Sequence, residues 1–268
     1  MIAVELSKLY RRPRTWLSLV LLVALPAMVA LFLATTDIAP RPGTGPAFLS
    51  AVLNNGALFP AAALAIVLPL FLPLAVAVVA GESIAGEAQD GTLRYLLARP
   101  VGRTRLLLAK LVAVMVFTLT AVVLVAASAH VLGTQLFDAS APLPSTSGTS
   151  LTTTESTWRT VLAVLYVGWS MLGVAAVALF LSTLTDSPLA AALGAVALLV
   201  ASTVLVGLEA AQSVRPYLPT RYWLAFVDLF RDPVLWRDLV RGSLLQAVYV
   251  VVFLTAAWAN FTTKDVTS

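Results

Sequence analysis

An all-α integral membrane protein with six transmembrane helices is the fold class predicted, and three observations predict it. Hydrophobic residues make up 60% of the 268 residues and charged residues only 11%. Mean hydropathy is +0.94. The apolar residues also fall into six runs near the length of about 20 that one span needs, separated by polar stretches. A soluble domain is about half apolar and about a quarter charged, so soluble globular and disordered chains are both excluded.

The elements follow in order, as one transmembrane domain over residues 1–268. In residues 1–15, Ile2, Leu6, Leu9 and, past Pro13, Trp16 are spaced as one apolar face. This predicts an amphipathic N-terminal interfacial helix, with Lys8, Arg11, Arg12 and Arg14 as membrane-surface anchors. The run 16–34 is longer than a signal-peptide core and lacks a clear small-residue cleavage site, so it reads as a retained first span. A Pro/Gly-rich loop over 35–56 ends at Asn54 and Asn55, which suit a helix cap.

The second span is predicted over 57–80, kinked by Pro60, Pro69 and Pro73. A polar block over 81–110 precedes a third span at 111–132. Residues 133–157 are Ser/Thr/Pro-rich with no Lys or Arg and read as a loop. The fourth span, 161–184, and the fifth, 189–208, are joined by a tight turn that places Pro188 at a helix start. Residues 209–242 mix Trp223, Phe226, Phe230 and Trp236 with Arg and Asp, as re-entrant or interfacial helices at the outer face would. The sixth span is 244–261.

Basic residues set the orientation. Lys8, Arg11, Arg12 and Arg14 at the N-terminus, and Arg94, Arg99, Arg103, Arg105 and Lys110 in the second connection, put those parts and both termini in the cytoplasm. Arg215, Arg221, Arg231, Arg237 and Arg241 run against this rule, since span parity places 209–242 outside.

Several chemistries are excluded or disfavoured. There is no cysteine, and His130 is the single histidine, so thiolate sites and a poly-histidine metal site within one chain are excluded. Met1, Met28, Met115 and Met171 are too few and too scattered for a soft-metal path. Proton relays need acids or histidine inside the spans, and the apolar runs hold almost none. A formal charge of +4 and a pI near 9.7 fit anchoring beside anionic lipid, and no nucleic-acid partner is expected. Glu209 suits a pair with Arg215. The small-residue spacings Gly173/Val177 and Ala191/Ala195 do not by themselves mark an interface.

The informative stretch is 81–110, GESIAGEAQDGTLRYLLARPVGRTRLLLAK. Glu82, Glu87 and Asp90 are acidic, Asp90-Gly91 reads as a turn, and Leu93, Leu96 and Leu97 form a short apolar face. Arg99-Pro100 breaks the helix. On residues alone this is either a solvated loop with topology-setting arginines or an element that docks into a groove on another protein.

The pattern Glu87-x-x-x-Gly91-Thr92-Leu93-x-x-Leu96-Leu97-x-x-Pro100-x-x-Arg103, with Lys110 after it, resembles the signature of ABC-2 type transporter permeases. The ending Phe261-x-x-Lys264-Asp265-Val266 resembles that family's tail. The resemblance implies a permease subunit of an ATP-driven exporter in a bacterial cytoplasmic membrane. Two permease chains, the second identical or similar, would pair with two copies of an ATP-binding subunit. The stretch with Glu82, Glu87, Asp90, Gly91, Thr92, Leu93, Leu96, Leu97, Pro100 and Arg103 would be the cytoplasmic coupling helix between helices 2 and 3. No G-x-x-x-x-G-K-[ST] loop is present, so ATP and Mg would be bound by the partner, and this chain would not itself be an enzyme. The apolar spans suggest a lipidic or amphipathic substrate. An ATP-independent carrier or channel is the alternative, and it would be favoured by an intramembrane charge pair or an inverted repeat.

Overall fold

The computed structural model describes residues 1–36, 48–53, 55–92, 102–137, 143–144 and 149–263. Among them, six helices are long and apolar enough to cross a membrane. They are α2 (Pro13–Thr35), α5 (Phe71–Gln89), α6 (Arg103–Leu136), α7 (Thr153–Leu184), α8 (Pro188–Gly207) and α9 (Trp236–Thr263). Three shorter helices complete the set: α1 (Ile2–Arg11), α3 (Leu49–Val52) and α4 (Phe59–Val67).

Local chemistry sets the boundaries. Arg12 is extended and Pro13 opens α2, so the chain turns a corner between α1 and α2. Thr15 Oγ1 donates to the Leu9 carbonyl at 2.7 Å and Trp16 Nε1 to the Tyr10 carbonyl at 2.8 Å, which fixes that corner. Thr152 and Glu155 form a reciprocal capping box at the start of α7. Ser187 caps α8 and Pro188 fills its first position. Asn55 accepts from the Ala57 amide at 3.0 Å and caps a single 3-10 turn, Gly56–Leu58.

The second apolar run is not one kinked helix over 57–80. It divides into α4 and α5, with Leu68–Leu70 between them as turns. The reason is the spacing of Pro69 and Pro73. Neither has an N–H, so the bonds to the carbonyls of Ala65 and Pro69 are lost one turn apart, and the ladder opens. Nor does the chain leave helical geometry at Gly81. Helix α5 continues to Gln89 and ends only where Gly91 takes a φ of +67°. The polar block is thereby reduced to residues 90–102.

The two most enclosed long helices, α5 and α7, form the centre. Helix α7 lies against α5, α6, α8 and α9, while α5 also carries α8 on its flank. Helix α4 packs on α6, and α2 covers α6 on another side. The core runs through Leu64, Leu72, Val76, Phe117, Val122, Met171 and Val174. At one contact the backbones themselves meet: a Cβ on Gly56 would collide with the Gly133 carbonyl, and one on Gly133 with the Gly56 carbonyl. Gly81 likewise lies close against Ala192, and Gly173 against the side chain of Gln246. The small residues noted at 173 and 191–195 therefore serve contacts within this chain.

A strap over 209–235 caps one end of the bundle. Its 3-10 segment Trp223–Phe230 buries Trp223, Phe226, Leu229 and Phe230 against α7 and α9. Buried Arg159 donates from Nη1 to the Arg231 carbonyl at 2.9 Å, and the Tyr166 hydroxyl donates to the Tyr222 carbonyl at 2.7 Å. Leu143–Pro144 and Ser150–Leu151 form a two-residue antiparallel pair before α7.

Candidate functional site

At the opposite end from this strap, α1 packs along α6, with the Tyr10 and Thr120 hydroxyls sharing a hydrogen bond at 2.7 Å, and charge joins it to α5 and α6. Glu5, Lys8 and Arg12 are spaced three and four residues apart, so they share one face at the end of α1. Lys8 Nζ lies 3.2 Å from Glu5 Oε1 and 3.1 Å from Glu87 Oε1. Lys110 Nζ lies 2.8 Å from Glu87 Oε2 and 3.4 Å from Glu5 Oε2, and it donates to the Ser83 carbonyl at 2.6 Å. Two carboxylates and two ammoniums thus form a closed, neutral ring. The side chains of Glu87 and Lys110 are only 7% and 1% exposed. The Lys110–Glu87 Oε2 approach is an ion pair whose angles do not align as a hydrogen bond.

The ring shifts the protonation of its members on α1. Burial alone would raise the Glu5 pKa, but the charges of Lys110 and Lys8 outweigh it and hold the carboxyl below its usual range. For Lys8, burial would lower the pKa, and Glu87 and Glu5 overcome this and hold it above the usual lysine value. Glu5 and Lys8 are thus each held in the charged form by the opposite charges around them.

A second, exposed layer flanks the ring. Glu82 pairs with Arg14 closely and with Arg12 at 3.6 Å, and the two arginine side chains are 75% and 41% exposed. Arg11 is exposed on α1. Of the expected surface anchors, Lys8, Arg12 and Arg14 therefore also hold carboxylates of α5.

A third set of contacts closes the same end against the last helix. Arg103 Nη1 donates to the carbonyls of Phe261 at 3.3 Å and Thr262 at 2.8 Å, covering acceptors at the C-terminus of α9. Trp258 Nε1 donates to Thr104 Oγ1 at 2.9 Å, and Asn260 Nδ2 to the Thr183 carbonyl at 2.9 Å. Ile84, Leu106, Leu107, Leu179 and Phe261 form a separate small apolar cluster beneath these bonds. Ser182 of α7 is inserted into the α5 ladder: its hydroxyl donates to the Gly81 carbonyl at 2.6 Å and accepts from the amides of Ala85 at 2.9 Å and Ile84 at 3.1 Å.

The expected site residues thus fall into three groups. Glu82, Glu87 and Arg103 point into this chain and tie its helices together. Asp90, Gly91 and Thr92 are exposed where α5 ends, with Thr92 Oγ1 donating to the Glu87 carbonyl at 3.2 Å. Leu93, Leu96, Leu97 and Pro100 lie outside the described residues, as does the tail at Lys264 and Asp265. Nothing in the sequence marks Glu5, Ser83 or Ser182 as members of this site, and Lys110 stands out there only as a topology-setting cation and as the end of the permease-like pattern. Lysine is rare in this chain, and Lys110 directly precedes an apolar run, which was the available signal. Among the described residues, no three His, Cys, Asp or Glu side chains gather where they could hold a metal ion.

Six long apolar helices around one packed core, with charge confined to their ends, define the class: an all-α protein with the layout of a multi-pass membrane protein. The chain belongs to the family described as protein of unknown function DUF2705, which it matches over residues 20–267. No curated protein matches it.

Proposed function

We propose that the chain is the permease subunit of an ATP-driven ABC transporter of the ABC-2 type, exporting a lipidic or amphipathic substrate. One observation carries the reading. The signature-like stretch lies between two apolar helices, α5 and α6, whose adjoining ends are locked to each other by Glu87 and Lys110 and to α1 by Glu5 and Lys8. Asp90, Gly91 and Thr92 are exposed at the end of α5, and a contact made from so stiff a base is suited to receive a push from a partner and pass it to the bundle. Asp90, Gly91, Thr92, Leu93, Leu96, Leu97 and Pro100 form the coupling contact, and Glu82, Glu87 and Arg103 are positioning residues behind it.

In this reading, α1 rests at the inner membrane surface, with both termini and residues 90–102 in a bacterial cytoplasm. The strap over 209–235 faces outside. Two identical permease chains join two ATP-binding subunits, which hold ATP and Mg. ATP acts by favouring one of two states of the membrane dimer.

The depth of the ion-pair ring disfavours an ATP-independent carrier. Helix α6 has 34 residues and is about 51 Å long, against a hydrocarbon core of about 30 Å. Centred, it protrudes about 10 Å at each end, and Lys110 lies about 10 Å along from Arg103. The ring therefore sits at the boundary of the core and not at mid-span, where a coupling charge would be expected.

The test is purification of the tagged chain from its native membrane in mild detergent, followed by mass identification of partners and a vanadate-sensitive ATPase assay. A stoichiometric ATP-binding subunit is expected with the wild type, and its loss with Leu96→Asp at unchanged membrane level. A chain that carries no ATP-binding partner under complex-preserving conditions would overturn the reading.

A further inference from the structure

Helices α8 and α9 both flank α7, and an apolar cleft of about 530 Å³ runs between them. Its walls include Ala201 and Leu205 of α8 and Val248, Tyr249 and Val252 of α9. The α9 wall is stiffened by rings: Tyr249 stacks on Phe253 at 5.8 Å, and Phe253 packs against Phe180 of α7 at 5.7 Å.

The cleft is built, not frayed. Residues Tyr217–Thr220 of the strap close one end and bond to both walls. The hydroxyls of Thr220 and Ser202 share a hydrogen bond at 2.7 Å on the α8 side. On the α9 side, the Tyr249 hydroxyl donates to the Tyr217 carbonyl at 3.0 Å, and buried Gln246 donates from Nε2 to the Pro219 carbonyl at 2.8 Å. The strap therefore sets the distance between two helices that do not close on each other.

Size and charge select the occupant. A helix is about 10 Å across with its side chains, so 530 Å³ would take in only about one turn of it. A helix could enter only with the side chains of about that one turn, whereas a flexible hydrocarbon chain can lie along the cleft. Arg215 and Arg221 flank the segment 217–219 that lines the closed end, while Glu209 lies farther along the chain and Asp228 is paired with Arg231 at 2.8 Å. Arg221 is exposed, and Arg215 is half-buried with its Nη2 donating to the Leu208 carbonyl at 3.1 Å. We propose that this cleft binds one acyl chain of an acidic phospholipid, with the headgroup phosphate at the strap beside Arg215 and Arg221. The inference rests on the membrane layout of the fold and is independent of any ATP-binding partner.

The test is native mass spectrometry of the full-length protein, delipidated in detergent and offered phosphatidylglycerol or phosphatidylcholine of equal chain length. One retained phosphatidylglycerol per chain is expected. Ala201→Trp fills the cleft from the α8 wall and should weaken retention by about tenfold or more, because losing contact with about two methylenes already costs that much. Val252→Trp fills it from the α9 wall and serves if the first variant does not fold. A phosphatidylglycerol carrying a photoactivatable diazirine in its chain should label 198–205 and 245–253 in the unaltered protein. Equal retention of both lipids would overturn the headgroup assignment. Retention unchanged in a folded Trp variant, or labelling spread evenly over the apolar surface, would overturn the site. Dimers that dissociate in the Trp variants would assign the cleft to a second copy and overturn it as well.

Discussion

Replacing Glu87 by Gln deletes one charge from the ring and leaves Lys110 buried. Lys110 then keeps the Ser83 carbonyl at 2.6 Å and Glu5 Oε2 at 3.4 Å, and loses the carboxylate at 2.8 Å. Unit charges 2.8 Å apart attract by about 6 kcal/mol at an effective dielectric of about 20. The remaining Glu5 contact and the relieved desolvation of Glu87 reduce this, to about 3 kcal/mol, the low end for breaking a buried pair from one side. The comparison is Glu82→Gln. It breaks pairs with Arg14 and Arg12, which are 75% and 41% exposed, and should cost less than about 1 kcal/mol. The assay is the fraction of full-length protein that stays monodisperse in one detergent after heating. Glu87→Gln and Lys110→Met should each melt well below Glu82→Gln. The double variant Glu87→Gln/Lys110→Met should lose less than the sum, because it leaves no orphaned charge between them. Glu87→Gln within about 0.5 kcal/mol of Glu82→Gln, or strict additivity, would refute the reasoning.

Three further outcomes are expected. The ring has a pH window: Glu5, held below 4.5, contributes stability that is full above 4.5 and lost as pH falls through its folded value. Lys8, held above 10.5, contributes stability that is full below 10.5 and lost as pH rises through its folded value. Melting followed from pH 3 to pH 12 should therefore fall off at both ends, and more gently at both in Glu5→Gln, with roughly that range set by the two side-chain values. Ser182→Ala strips three bonds from the α5 ladder and should cost about 1–3 kcal/mol in the same heating assay; a neutral result would contradict the inserted hydroxyl. Because the chain has no cysteine, Asp232→Cys gives a single label site, and an impermeant maleimide should reach it from the outer face. Labelling from the cytoplasm alone would invert the strap and undo the six-span order.

Element existence was legible where one physical effect dominated. The runs at 16–34 and 189–208 are apolar throughout and flanked by proline or polar residues, and α2 and α8 start and stop within three residues of them. The division at Leu68–Leu70 was harder, because each proline alone is tolerated in an apolar helix and only the spacing of Pro69 and Pro73 opens the ladder twice. The extension of α5 through Glu82 and Glu87 was hidden for a different reason. Those charges look like loop residues until their partners are known, and partners on the N-terminal segment are distant: Lys8 is 79 residues from Glu87 and Arg14 is 68 from Glu82. Ser182 gave no signal, since a serine in an apolar helix ordinarily bonds its own backbone. Leu93, Leu96 and Leu97, proposed above as part of the coupling contact, fall outside the described residues.

The ring also imposes an order in time. Lys8 and Glu87 are 79 residues apart, so at about 5–20 residues per second the carboxylate is made roughly 4–16 s after the lysine. During that interval the first helix carries Lys8, Arg11, Arg12 and Arg14 against Glu5 alone, a strong positive excess at the moment when orientation is decided. Only when α5 arrives do Glu82 and Glu87 pair with these cations and reduce the excess. In the proposed orientation the same side chains would be used twice: first as cations that keep this end of the chain on the side of synthesis, and then as half of a latch that closes once the next two long helices have arrived.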